Sequence, residues 1–365
     1  MNTPMANLPV EGRSSDLPTI SVCIPTFNRA SCLANLLKNL CPVKDTFGRA
    51  VEICISNNHS TDGTEQVIED WRQTLQLKVV TQHSNIGATK NVLEVTRLAT
   101  GRWILIIGDD DELISSGFAS LIALVEATGQ TEWILAGVGN GAGVEHLLGD
   151  LEGGLYDARQ FRKIVLRTGL YRFGFIGMHL FPSILRQQFC ELSLQQAQPW
   201  PHIALFLRHL QDGSFRIFST PVVNQAAGGN ELYWTAGDWA LIRLRKLDII
   251  AEARKSIKRL RWFYYLLMLR ELYSFVNLKQ LILWKAIDAT DFKGKALSTL
   301  FKRYFLMGPL ALAAIPHFGL VIALYCIPTT IVTFGFNLIG RKNLIKSHLD
   351  RRAKMENFDG VKRGL

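Results

Sequence analysis

Along the first 125 residues, short apolar runs alternate with segments of helical period. Residues 19–24 form a β-branched run that stops at Pro25 and reads as a strand. In the next segment Leu33, Leu36, Leu37 and Leu40 share one helical face over 31–40, with Ser31 placed as its N-cap. The pattern then predicts a strand over 51–56, a helix over 64–75 with Val67, Ile68 and Trp71 inward, a strand over 77–81 and a helix over 87–99. Residues 103–107 are continuously apolar, as in a strand covered on both faces, and a helix comes next over 116–126. This alternation predicts an α/β fold with a doubly wound, mostly parallel sheet. Ligands of such sheets sit beyond the carboxyl ends of the strands. Four loops share that rim: 25–29, 57–63, 83–87 and 108–112.

The rim loops carry the candidate chemistry. No Gly-x-Gly-x-x-Gly comes after the first strand, which disfavours a dinucleotide site, and no Gly-x-x-x-x-Gly-Lys-Ser/Thr loop is present, which excludes a P-loop. Asp109, Asp110 and Asp111 stand together at the end of an apolar strand. Three neighbouring carboxylates stay ionised together if a hard cation sits among them, and oxygen ligands suit Mg²⁺ or Mn²⁺. A solvated acidic turn at the start of the next helix is the plainer alternative. Pro25, Thr26, Asn28 and Arg29 offer a rigid turn, a hydroxyl, an amide and a guanidinium. Residues 56–64 are almost wholly polar and suit a base and ribose, while Ser60 to Asp62 also stand where they can cap the helix at Thr64.

Together these loops resemble glycosyltransferase family 2, the nucleotide-sugar enzymes of GT-A fold. The pattern is carried by Pro25-Thr26-x-Asn28-Arg29, Ser60-Thr61-Asp62-Gly63-Thr64, Asn85-x-Gly87 with Asn91, and a Gly101-led strand ending at Asp111. It covers about residues 18–125. More loosely, the chain is similar to the O-antigen, abequosyltransferase-like branch. The resemblance implies that Pro25, Thr26, Asn28, Arg29, Asn57 and Asp62 line the nucleotide pocket, and that Asn85, Lys90, Asn91 and Asp110 approach it near the diphosphate. It also implies that Asp109 and Asp111 form the Asp-x-Asp pair holding Mn²⁺ or Mg²⁺. Two positions depart from the pattern: Gly108 replaces an aspartate common in the family, and Asn57 replaces the usual uracil-binding aspartate. An amide donates as well as accepts, so a CDP-sugar donor is expected beside a UDP-sugar. Inverting relatives commonly take their base from a downstream Glu-Asp pair. None occurs here, and His202 stands at about that distance as the candidate catalytic base, with Glu191 and Asp212 as weaker ones. A helix-start histidine after Pro201 is the other reading of His202.

The middle of the chain says less. Residues 137–143 hold four glycines and read as a loop or hairpin. Residues 171–181 are aromatic and suit an acceptor groove or a core strand equally, and 228–234 read as a loop near the donor.

Charge divides the chain. Residues 1–240 carry 18 basic and 23 acidic side chains, 241–303 carry 15 and 5, 304–340 carry none, and 341–365 carry 8 and 3. The division reads as a flexible N-terminus (1–17), a GT-A domain (18–240), a basic amphipathic helical region (241–303), an apolar membrane segment (304–340) and a basic tail (341–365). Residues 254–287 suit a helix on a membrane surface or one packed on the domain. Residues 305–339, broken by Pro309, Pro316 and Pro328, suit a re-entrant hairpin better than one crossing, with a buried helical pair of a soluble domain as the plainer alternative. Basic residues bracketing an apolar run favour an anionic membrane lipid as partner over nucleic acid. The apolar content, 48%, excludes a disordered chain, the polar first residues are not expected to be a secretory signal, and six cysteines without a Cys-x-x-Cys pair are expected to be reduced thiols. The expectation is a metal-dependent glycosyltransferase on the cytoplasmic face of the inner membrane, acting on a polyprenyl-diphosphate-linked saccharide. A polyprenyl-phosphate glycosyltransferase and a non-catalytic nucleotide-binding module are the alternatives.

Overall fold

A computed structural model describes residues 17–128, 131–140, 147–225 and 236–274, and parts of the C-terminal stretch (281–282, 284–286, 292, 312–327 and 332). The first half keeps to the expected alternation: β1 (Ile20–Thr26), α1 (Ala30–Phe47), β2 (Val51–Asn57), α2 (Thr64–Leu75), β3 (Lys78–Thr81), α3 (Ala88–Leu98), β4 (Trp103–Ile106), β5 (Glu112–Leu113) and α4 (Ser115–Ala127). Then come β6 (Glu132–Gly139), β7 (Gly154–Asp157), α5 (Ala158–Thr168), β8 (His179–Pro182), α6 (Arg186–Cys190), α7 (Leu194–Ala197), α8 (Pro201–His209) and β9 (Ser214–Asn224). Two helices, α9 (Ala236–Ser256) and α10 (Arg261–Leu272), come next, and α11 (Ile315–Cys326) stands apart in sequence.

The sheet is mixed. Its order is β3-β2-β1-β4-β8-β6-β9-β5, with β7 also on β9. Strands β3, β2, β1 and β4 run parallel, as expected, but β8 is antiparallel to both β4 and β6. The reversal corrects the mostly parallel expectation. Its cause is the connection through short turns over 170–178, which enters β8 from the rim side. Alternate residues of the centre strands feed two cores. Trp103 and Leu105 face the core under α1, α2 and α4, while Ile104 and Ile106 face the core under α3 and α8. A strand buried on both sides reads as an unbroken apolar run.

Several local expectations change. Helix α1 starts at Ala30, so Ser31 lies inside it, and no side chain of its own cap residue Arg29 closes the end. Asp62 supplies that cap from another loop, its Oδ2 accepting from the Ala30 N–H at 3.1 Å. The helix also continues through Pro42 to Phe47, because Val43 extends the buried leucine stripe. Gly137 and Gly139 belong to β6 rather than to a loop; a Cβ on Gly137 would meet Ser219 O at 2.4 Å, so the backbones of β6 and β9 need glycine there. In the aromatic stretch, Phe173 and Phe181 are core, beside Trp133 and Phe206. The expected loop at 228–234 lies outside the described residues.

The basic C-terminal stretch is broken at Ile257, where a short turn over Lys258–Leu260 separates α9 from α10. Helix α10 packs on the domain. Tyr264 donates to Leu207 O at 2.7 Å, and Arg270 donates to Thr168 O at 2.8 Å. Of the expected apolar segment, α11 with its flanking turns and Val332 are described; the rest lies outside the described residues. No helix among the described residues is long and apolar enough to cross a membrane.

Candidate active site

The carboxyl ends of β1, β2 and β4 meet in one hydrogen-bonded rim. Asn28, just past β1, has φ 51°, a left-handed conformation that asparagine tolerates. It clasps the second loop from both ends, since its backbone N–H donates to Ser60 Oγ at 2.9 Å and its Oδ1 accepts from the Thr61 N–H at 2.7 Å. Asp62 accepts from the first turns of α1 and α2 together, from Ala30 N and from Thr64 N at 3.1 and 3.0 Å. Burial would raise its pKa, but these hydrogen bonds outweigh it and hold the carboxyl below its ordinary range.

The aspartate turn leans on β1. Asp109 Oδ2 accepts from Thr26 Oγ1 at 2.7 Å, and its Oδ1 from Arg29 at 3.2 Å. Arg29 also reaches Asp110 at 2.7 Å, so one guanidinium bridges two carboxylates. Asp111 Oδ2 accepts from the Gly108 N–H at 3.0 Å. A side chain at Gly108 would come within 2.8 Å of the carboxylates of both Asp110 and Asp111. Asp109 is 5% exposed, and burial lifts its pKa to about 6 in spite of Arg29 and Thr26.

The expected nucleotide residues separate into two groups. Thr26, Asn28, Arg29, Asp62 and the three aspartates assemble around the β1 and β4 ends, with Pro25 half-buried at the last turn of β1. Asn85 and Lys90 are exposed on the third loop and the first turn of α3. Asn57 and Asn91 are enclosed. Asn57 accepts from Ser60 N and donates to Glu65 at 2.6 Å, while Asn91 donates to Ser56 O and Thr26 O and accepts from Ser56 Oγ. Both amides therefore hold the loops in register. Ser56, Asn58 and Glu65 complete this scaffold and were not singled out by sequence pattern. Asn58 donates to Asn85 Oδ1 at 2.9 Å and accepts from Ile86 N, tying the second loop to the third. Their residue types gave the only signal, a polar run after a buried strand.

His202 opens α8 directly after Pro201 and is 2% exposed. Its Nε2 pairs with Gly174 O at 3.1 Å, which makes it the protonated nitrogen, and its ring stands 4.9 Å from that of His179. Nδ1 is buried with no hydrogen-bond partner. Burial pushes its pKa well below the ordinary value, so the ring is neutral. Glu191 lies at the end of α6, and Asp212 lies in the turn between α8 and β9.

A polar loop clasp and an aspartate turn thus share one rim of the α/β sheet, where ligands of such sheets sit. Residues 21–142 match the model of glycosyl transferase family 2. The chain is 39% identical over 104 residues to abequosyltransferase RfbV of Salmonella typhimurium, covering 28% of this chain and 31% of that protein. It is 28% identical over 108 residues to a GalNAc(5)-diNAcBac-PP-undecaprenol beta-1,3-glucosyltransferase of Campylobacter jejuni, covering 29% and 34%. The matched segment thus spans about a third of these relatives' length. The crystal structure of S. aureus TarS 1–349 in complex with UDP superposes with a TM-score of 0.55 at 17% identity, over 88% of this chain and 91% of that one. The likeness shows the fold, a GT-A-like α/β arrangement.

Proposed function

We propose that this protein transfers a sugar from a CDP- or UDP-sugar to a lipid-linked saccharide at the cytoplasmic face of a membrane, in O-antigen or related surface-polysaccharide assembly. The observation that carries the reading is the aspartate turn on the β4 rim, set against the Asn28–Asp62 clasp inside a family 2 segment. The abequosyltransferase relative supports glycosyl transfer, and the undecaprenol-linked relative supports a lipid-linked acceptor.

Among the described residues no three metal-ligating side chains converge to cage an ion. Mg²⁺ and Mn²⁺ sites of phosphate chemistry need no such cage, because one or two carboxylates and the substrate's own phosphates suffice. Asp111 and Asp109 fit that role. A bound divalent ion would supply Lewis-acid stabilisation of the leaving diphosphate. Arg29 contributes fixed positive charge beside Asp109 and Asp110, and Thr26 orients Asp109. Asp62 and Asn28 hold the loop that faces base and ribose. Transfer breaks the bond from the anomeric carbon to the diphosphate oxygen and forms one to the acceptor oxygen, whose proton leaves to a base.

The enclosure of His202 favours a second reading. A polyprenyl phosphate is already an anionic nucleophile and needs no base. Alkaline stability and mass of the lipid product separate the two: a glycosyl-phosphate lipid has one phosphate, an extended saccharide keeps the diphosphate.

Calorimetric titration of the protein with CDP, UDP, GDP and dTDP, each with and without Mn²⁺, tests the donor site. Mn²⁺-dependent binding of CDP or UDP, weakened at least about tenfold in Asp111→Ala, is expected. Binding of none of the four sinks the transferase reading.

A further inference from the structure

Helix α11 has an unusual surface. Ala314, His317, Val321 and Leu324, at alternating three- and four-residue spacing, are buried against the protein. The opposite side holds Leu312, Ile315, Leu320 and Ile322 at 77, 57, 50 and 41% exposure. A surface helix of a soluble domain places polar residues there, yet 304–340 contain no charged residue. Tyr273 fastens this element to the end of α10, donating to Ala313 O at 2.7 Å and accepting from His317 N at 3.2 Å. Helix α10 itself exposes Trp262 and Leu266, 62 and 47% open, one turn apart. At its start Lys258, Arg259 and Arg261 are exposed, and among the described residues none of them has an acidic partner.

We infer that α11 and the Trp262–Leu266 edge of α10 dock in the interfacial layer of an anionic bilayer, with α11 lying in the membrane plane. Twelve residues of helix span about 18 Å, short of the roughly 30 Å hydrocarbon core, so α11 suits the interface and not a crossing. Charge selects the occupant. The regions flanking the apolar segment carry net charges of +10 over 241–303 and +5 over 341–365, and they meet anionic headgroups favourably. A second copy of the chain would set like charge against like. Tryptophan beside basic residues is the composition of an interfacial anchor. The inference rests on the proposed lipid-linked acceptor only in saying how the enzyme reaches it; the surface stands on exposure and charge alone.

Flotation of the full chain on vesicles tests it. Vesicles of phosphatidylcholine with phosphatidylglycerol are expected to carry the protein, phosphatidylcholine alone far less. Leu320→Glu with Ile322→Glu should lower the bound fraction at least about tenfold. Each replacement of Lys258, Arg259 or Arg261 by Gln should lower vesicle affinity about fivefold, with added salt acting likewise. Because these side chains are exposed, the variants should keep the wild-type unfolding temperature. As a check independent of folding, the wild type's fluorescence should shift to the blue on anionic vesicles, and Trp262→Phe should abolish most of the shift. Failure to float on either vesicle overturns the inference. So does flotation indifferent to the Leu320/Ile322 variant, or a self-association that this variant abolishes. Vesicle binding without nucleotide binding would remove the transferase reading and leave this one standing.

Discussion

Asn28 combines a left-handed backbone with an oxygen that receives the Thr61 N–H. The two contributions can be separated. Asn28→Ala should destabilise by about 2 kcal/mol, from about 1 for the strained backbone and about 1 for the lost hydrogen bond. Asn28→Gly should cost only about half as much, because glycine adopts the conformation freely. Denaturant unfolding of both variants measures the difference, and equal losses would mean the backbone conformation does not matter. At this scale, the aspartates were legible because carboxylates after a buried apolar strand have few explanations. The roles of Ser56, Asn58 and Glu65 were not, since each depends on a partner brought near by the fold. Ser56 meets Asn91, 35 positions away, across β2 and α3. His202 matched a sequence distance, while its enclosure by Gly174 and His179 depends on how α8 packs.

Elements were legible where one periodicity ruled. Helix α2 begins and ends where its pattern does. Its neighbour α1 starts one residue before its pattern does, because its cap, Asp62, belongs to another loop. Strand direction in the second half was not legible, since apolar content looks alike in β4 and in the antiparallel β8. Among the described glycines, Gly117 in α4 has the closest neighbour, since a Cβ there would lie 1.8 Å from Pro221 O of β9. Gly117→Ala should therefore push α4 off β9 and lower stability by about 3 kcal/mol. The same strand holds β5 through Leu113↔Val223, so nucleotide affinity should fall along with the unfolding midpoint. An Ala variant with wild-type midpoint and affinity would show that the helix shifts without strain.

Across the molecule, buried histidines set the response to acid. His179 is held neutral in the core with its pKa pushed to about 4, and burial lowers His202 and His317 as well. In the unfolded chain these rings protonate near pH 6.5, so the unfolded state takes up protons first as the pH falls. Stability is therefore full above about 6.5 and is lost towards 4, by roughly 3 kcal/mol for His179 alone. Asp109, lifted to about 6, works in the opposite sense between its ordinary value and 6 and offsets part of the loss. Among the described groups, His209 is lowered by burial too, and four histidines against one raised aspartate give a net fall. Thermal unfolding monitored through that pH range at constant ionic strength should show a dropping midpoint; a flat one would refute the buried neutral rings. The charge division of the chain was legible at this scale, but the packing of α10 on α5 and α8 was not, because its inward Tyr264 and Leu267 share a helix with exposed Trp262.

The route of the sheet has a consequence for synthesis. The aspartate turn runs straight into β5, and the strand that pairs with β5 is β9, more than a hundred residues further along the chain. Strands β1 to β4 and their helices are complete once residue 106 has left the ribosome, and domains form as their parts emerge. A nascent chain of that length can hold the Asn28–Asp62 clasp but has no strand to pin the segment after Asp111. Closure over so long a loop is slow. The polar loops and the contacts of Asp109 and Asp110 to Thr26 and Arg29 are thus ready early, and the segment after Asp111 gains its strand partner only when translation has passed Asn224.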